Sequence, residues 1–115
     1  MRRLLILLFF LFAMVPPAYA DAFVAGTEDI PLMPGLKTVP NATIVFDKPE
    51  GRIVEAQAQG STTREKVEDF YATSLPALGW KRTGPNQWQR DAERLRLEFS
   101  GGTGPVTVGF TLSPH

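Results

Sequence analysis

From residue 43 onward the chain is divided into short runs in which apolar and polar residues alternate. In one run Leu95, Leu97 and Phe99 alternate with charged residues, and the last run repeats the pattern with valine, phenylalanine and leucine. A period of two is typical of strands with one buried face, and short turns between such runs favour antiparallel hairpins. The pattern predicts six strands, at 43–47, 52–59, 80–83, 87–90, 93–99 and 106–112.

One stretch between the second and third of these strands has a period of 3.6 residues instead, which is typical of a helix packed on one side. Thr62, with Glu65 three residues later, has the form of a capping box that begins the helix, and Gly79 is expected to end it. The apolar stripe consists of Val67, Phe70, Tyr71, Leu75 and Leu78. We therefore expect an α+β fold in the order ββαββββ, with a single antiparallel sheet and one α-helix packed on one face.

The first predicted hairpin contains apolar residues on both of its faces. Alternation places Ile44 and Phe46 on one face, and it leaves Val45 and Ile53 pointing outward near the first turn. We expect either the apolar segment 30–36 or a partner to cover these two outward side chains. In the second strand, alternation predicts an inward face formed by Val54, Ala56 and Ala58.

The first twenty residues have the three parts of a signal peptide in the usual order. Arg2 and Arg3 are followed by an unbroken apolar run at 4–15, and Ala18-Tyr19-Ala20 is a small-x-small cleavage sequence. As a helix this run would span about 18 Å, whereas the hydrocarbon core of a bilayer is about 30 Å thick. We therefore expect cleavage before Asp21 rather than a membrane anchor, and an exported, periplasmic or secreted protein with no membrane span.

Prolines and glycines are spaced too closely in residues 21–42 for a regular element. We expect an irregular extended N-terminal segment at 21–42, followed by a single α+β domain at 43–115. The chain has no cysteine, which favours a bacterial periplasm, since small eukaryotic secreted domains usually depend on disulfides. Without the signal peptide ten basic and twelve acidic residues remain. This balance gives no general attraction to nucleic acid, and we expect no nucleic-acid partner.

The predicted helix and the residue after its end carry the phrase FYxxxLPxLGW, from Phe70 to Trp80, and Gln87-Trp88-Gln89-Arg90 follows it. This resembles small exported bacterial proteins of unknown function, many of them proteobacterial, over roughly Val45 to Leu112. The resemblance implies no particular activity. Packing explains the aromatic residues as core. The alternative is a ligand groove lined by Tyr71, Trp80 and Trp88.

The sequence contains few candidates for catalytic chemistry. There is no cysteine nucleophile, and the single histidine is the terminal residue His115, so neither a serine–histidine pair nor a metal-ligand cluster is predicted. No cofactor or metal is expected. A general acid usually needs burial to raise its pKa, and alternation places the acidic candidates in turns or on the solvated face. These candidates are Asp47, Glu50, Glu55, Asp91, Glu93 and Glu98.

The outer face of the sheet is the strongest candidate surface. Arg94, Arg96 and Glu98 are expected to project from it, and Glu55, Gln57 and Gln59 on the second strand are candidates to lie beside them. Such a face suits an anionic envelope polymer or a partner protein, and the alternative is an ordinary solvated face with cross-strand pairs. The residues predicted for an interaction surface are Arg94, Arg96, Glu98, Trp80 and Trp88.

These observations favour an exported, periplasmic, non-catalytic domain that binds an envelope protein or polymer. One alternative is a small hydrolase or lyase that uses carboxylates. The other is a structural or assembly subunit that donates an exposed edge strand.

Overall fold

The computed structural model describes residues 22–101 and 104–115. The predicted signal peptide at 1–20 lies outside these residues. The described part is an α+β fold with one antiparallel sheet of seven strands and one helix, so the predicted class is confirmed. The elements are β1 (Lys37–Thr38), β2 (Ile44–Lys48), β3 (Gly51–Gly60), α1 (Arg64–Ala77), β4 (Lys81–Gly84), β5 (Gln87–Arg90), β6 (Glu93–Ser100) and β7 (Val106–Pro114).

The predicted order ββαββββ is corrected to βββαββββ, because a short strand, β1, precedes the first predicted one. Lys37 pairs with Gln59 and Thr38 with Ala58. A two-residue strand is too short to show alternation, and the prolines and glycines around it indicate irregular structure. The sequence pattern therefore gave no signal for β1.

The spatial order of the strands is β1-β3-β7-β6-β5-β4, and β2 also pairs with β3. The last strand in the sequence, β7, therefore lies in the middle of the sheet. It pairs with β3 from Val54 to Gly60 on one side and with the whole of β6 on the other. The strands before the helix and the strands β4–β6 thus belong to one sheet through β7.

The turn between β2 and β3 decides which face each residue of β2 occupies. Lys48 pairs with Gly51, so the loop has two residues, and this register places Val45 opposite the buried Val54. Opposed residues share a face, so Val45 lies on the core face, and its predicted outward position is wrong. Ile44 and Phe46 lie on the outer face. The three consecutive apolar residues of β2 fit either assignment, and only the register distinguishes them.

Val45 remains 42% exposed, and the N-terminal segment approaches it at Gly26. A β-carbon at Gly26 would lie 2.8 Å from Val54 Cγ1 and 3.3 Å from Val45 Cγ2, and φ at this residue is 84°. Glycine is therefore required both by the close approach and by the backbone conformation.

The N-terminal segment contributes side chains to the core of the domain. A backbone bridge joins Phe23 and Pro31, and the Tyr71 hydroxyl on the helix donates to Pro31 O at 2.7 Å and accepts from Met33 N at 3.1 Å. The segment therefore lies against α1 through both packing and hydrogen bonds. Its buried residues are Val24, Ile30, Leu32 and Leu36.

Helix α1 begins one residue later than predicted. Thr63 is the N-cap, and its hydroxyl accepts from Lys66 N at 3.2 Å, so Glu65 does not occupy the capping-box position. Two adjacent threonines both suit an N-cap, and composition cannot choose between them. From the predicted stripe Val67, Tyr71 and Leu75 are buried.

The end of α1 explains the phrase LPALGW. Trp80 N donates to Leu75 O at 3.1 Å, and Gly79 N donates to Pro76 O at 3.0 Å. Gly79 has φ 93°, which glycine adopts without steric cost. This is a Schellman motif, in which the buried residue after the glycine packs back on the last turn. Within the described residues, no helix is long and apolar enough to cross a membrane.

Candidate interaction surface

The two faces of the sheet differ in what lies over them. Helix α1 and the N-terminal segment pack on the core face, where Leu95, Leu97 and Phe110 are buried. The opposite side, which we call the outer face, carries the alternate residues of β2, β3, β6 and β7. Its central side chains are Ile44, Phe46, Ile53, Glu55, Gln57, Arg94, Arg96, Glu98 and Thr111.

The strand register arranges the outer face into rows. Glu55, Thr111 and Arg96 lie side by side on three neighbouring strands, and the next row is Gln57, Gly109 and Glu98. Because Gly109 has no side chain, the second row contains a gap. The gap belongs to a shallow depression of about 380 Å³, whose polar lining includes Glu55, Gln57, Arg96, Glu98 and Thr111.

The charged residues predicted for this surface lie together and are accessible. Arg96 Nε lies 3.5 Å from Glu98 Oε2, with side chains 51% and 68% exposed. An exposed pair of this kind stabilises little, since water and salt screen it. Arg94 Nη2 lies 3.3 Å from His115 Nδ1. Both arginines are therefore able to contact a partner without breaking a buried interaction.

An apolar cluster lies beside these charges on the outer face. Ile44 is 51% exposed and Phe46 is 42% exposed, and Phe46 lies opposite Ile53 on β3. Apolar side chains rimmed by polar ones are typical of a site that binds another macromolecule. Alternation alone had paired Val45 with Ile53 as the outward residues. The two-residue loop at Pro49 and Glu50 is the signal that would have identified Phe46 instead.

Trp80 and Trp88 do not belong to this surface. Trp80 is 2% exposed and Trp88 is 4% exposed, and Trp88 lies opposite the buried Leu95 on the core face. Tyr71 is also buried, between the rings of Phe70 and Phe110. The sheet thus separates both tryptophans from Arg94, Arg96 and Glu98, and the three rings considered for a ligand groove are packed in the core.

Arg90 links three parts of the molecule around Trp80. Its guanidinium lies 4.4 Å from the centre of the Trp80 ring and donates to Leu78 O at 3.1 Å. It also forms a bidentate pair with Asp29, at 2.8 and 3.2 Å. The hydrogen bonds to Asp29 raise the pKa of Arg90. The arrangement joins β5, the end of α1 and the N-terminal segment, so the role of Arg90 is structural.

The carboxylates considered for catalysis are solvated. Glu93 is half-buried, and the other five are exposed. In residues 22–101 and 104–115 no charged side chain is buried. Nor does this part of the chain contain a cluster of three or more histidine, cysteine or acidic residues suited to a metal ion.

Comparisons with models of known families, with curated proteins and with solved structures find no match for this chain. The resemblance to small exported proteobacterial proteins therefore stays a prediction.

Proposed function

We propose that this chain is an exported, non-catalytic domain of the cell envelope that binds a partner protein on its outer face. The observation that carries the proposal is the exposure of Ile44 and Phe46 in a regular strand beside Arg96 and Glu98. Exposed apolar side chains cost free energy in water, and a partner that covers them recovers it.

The charge pattern favours a protein over an anionic polymer as the partner. A polyanion is bound best by uncompensated basic residues, whereas Glu55 shares a row with Arg96, and Glu98 pairs with the same arginine. Mixed charges around an apolar centre are typical of protein interfaces. The solvated carboxylates support the non-catalytic part of the proposal, because they lack the burial that a general acid needs.

Export rests on the sequence of residues 1–20. Expression with the native leader, followed by fractionation and N-terminal sequencing, is expected to yield a periplasmic protein that begins at Asp21. A purified protein that still begins at Met1 would contradict this part of the proposal.

Site-specific photo-crosslinking in intact cells tests the binding surface. A photoreactive residue at Gln57, on the outer face, is expected to form a discrete protein adduct, whereas the same residue at Ala72, exposed on α1, is not. Adding Phe46→Ser is expected to reduce the Gln57 adduct by at least about tenfold, corresponding to about 1.4 kcal/mol of lost binding. Equal labelling at Gln57 and Ala72, or an adduct unaffected by Phe46→Ser, would contradict the proposal.

A further inference from the structure

The two edges of the sheet are protected to different degrees. At one edge β4 pairs only with β5 among the described strands, and it carries Lys81 and Arg82 together with a register shift before Gly84. Charged residues and bulges are the usual means by which a sheet edge avoids pairing with another chain. The β4 edge is thus an internal example of a protected edge.

At the other edge β2 pairs only with β3 among the described strands, and all five of its residues are exposed. The two charged residues of β2, Asp47 and Lys48, lie at its end, and the run from Ile44 to Phe46 has no charge, proline or register shift. Antiparallel pairing turns the N–H and C=O groups of every second residue away from β3. These groups and the apolar side chains together form a template for one more strand.

We infer that the partner at this edge is a second copy of the chain, paired antiparallel through β2 about a two-fold axis at Phe46. This inference goes beyond the proposed function, because pairing at the edge of β2 leaves the outer face open to a different protein. In this register Phe46 lies opposite Phe46 of the second copy. The outer faces of the two copies are then on the same side of one continuous sheet, and a four-residue apolar row crosses the axis in the order Ile53, Phe46, Phe46, Ile53.

The charges suit this register. Ile44 lies opposite Lys48 of the second copy, and Glu55 lies next to Ile44 on β3, so Glu55 of one copy and Lys48 of the other share a row. Symmetry gives two such rows, one on each side of the apolar row, and each row carries opposite charges two strands apart. Val45 lies opposite Asp47, whose cross-strand partner within its own copy is Arg52. No like charges are opposed, whereas an axis at Asp47 would oppose two carboxylates.

The size of the contact sets the expected strength of the dimer. Five paired residues and one apolar row place it among small interfaces, below about 1,200 Å² of buried surface, which are weak or transient. We therefore expect a reversible, concentration-dependent dimer. At the high local concentration of an envelope layer or assembly, such a contact is populated more than in dilute solution.

Single-cysteine crosslinking tests both the partner and the register, because the chain has no cysteine of its own. Opposed residues of an antiparallel pair have Cα atoms about 4.5–5.5 Å apart, within the range that a disulfide spans. Under mild oxidation Phe46→Cys is expected to form a disulfide dimer at least about tenfold faster than Ala72→Cys, since pairing raises its effective concentration. Val45→Cys is expected to react slowly, because its opposite residue is Asp47.

Sedimentation velocity provides a measurement that needs no cysteine. The chain is expected to shift from monomer to dimer as its concentration rises, Phe46→Lys is expected to abolish the shift, and Thr83→Lys on the β4 edge is expected to leave it unchanged. Circular dichroism checks that each variant remains folded.

Two sets of outcomes would overturn the inference. Faster crosslinking of Val45→Cys than of Phe46→Cys would refute the axis at Phe46. A persistent monomer without rapid Phe46→Cys crosslinking would refute the second copy. If the Gln57 adduct to another protein remained in that case, the proposed function would survive, and if that adduct were also absent, both would fail.

Discussion

Among single residues, Tyr71 connects the helix, the sheet and the N-terminal segment. Its ring packs edge-to-face with Phe110 of β7 at 5.6 Å between centroids, and its hydroxyl hydrogen-bonds with Pro31 and Met33 of the N-terminal segment. Burial raises the pKa of Tyr71 well above its ordinary value, and the hydrogen bond from Met33 N only partly opposes this. The side chain therefore remains neutral in the folded protein.

We expect Tyr71→Phe to lower the free energy of unfolding by about 1–3 kcal/mol, because the variant leaves the Pro31 carbonyl and the Met33 N–H without their partner. Urea unfolding measures this change. A loss below about 0.5 kcal/mol would mean that water replaces the hydroxyl without cost.

The raised pKa of Tyr71 also predicts a loss of stability in alkali. The part of the free energy of unfolding that comes from this shift is fully present below about pH 10, which is the pKa of tyrosine in the unfolded chain. It is lost as the pH rises further, because the unfolded chain releases the proton more easily. Tyr71 is the only tyrosine after residue 20. In the cleaved protein, tyrosinate absorbance is therefore expected to appear together with unfolding, and Tyr71→Phe is expected to be less sensitive to alkali. Tyrosinate formation in the folded protein would contradict this.

Among the elements, α1 shows how local hydrogen bonds determine where a helix begins and ends. The Thr63 hydroxyl satisfies Lys66 N at the first turn, and Gly79 closes the last turn through its bond to Pro76 O. Trp80 is thereby directed into the core, directly after the helix. The hydrogen bonds at its two ends therefore fix where α1 lies on the sheet.

The two adjacent threonines provide a matched test of the helix start. Thr63→Ala is expected to lower the free energy of unfolding by about 1 kcal/mol, because Lys66 N loses its acceptor. Thr62→Ala is expected to change it by less than about 0.5 kcal/mol. Thermal unfolding of both variants measures the difference. A larger loss for Thr62→Ala than for Thr63→Ala would show that Thr62 is the N-cap.

In the molecule as a whole, the core is built from both sides of the predicted domain boundary. Ile30 of the N-terminal segment is among the most deeply buried residues, together with Val54 of β3 and Leu95 of β6. Asp29 and Arg90 add a bidentate ion pair between the segment and β5. The fold of residues 43–115 is therefore completed by the segment before it.

The same change, isoleucine to alanine, at two positions tests whether the N-terminal segment stabilises the domain. Ile30→Ala is expected to lower the free energy of unfolding by about 2–5 kcal/mol, because it leaves a cavity in the core. Ile44→Ala removes the same atoms from an exposed position on the outer face and is expected to cost less than about 1 kcal/mol. Denaturant unfolding of the two variants gives the comparison. Equal costs would show that the N-terminal segment does not stabilise the domain.

The sequence predicts the elements that have a regular apolar period, and it does not predict features that depend on how strands pair. Alternation such as that from Leu95 to Phe99, and the helical stripe through Tyr71, identify the class of fold because one face of each element is buried. The face of Val45 depends on the length of the turn between two strands, and β1 is too short to have a period. The apolar part of the outer face was missed for the same reason, since Phe46 is indistinguishable from a core residue until its register is known.

The position of β7 has a consequence for how the chain is made. The ribosome synthesises β7 after every other strand, yet β3 and β6 are both hydrogen-bonded to it. We expect a nascent chain stopped after Gly104 to remain unfolded, because its two sets of strands would lack their shared neighbour. If residues 1–20 direct export, as proposed, such a delay would keep the chain unfolded while it is secreted. Stable protease resistance in the chain stopped at Gly104 would contradict this expectation.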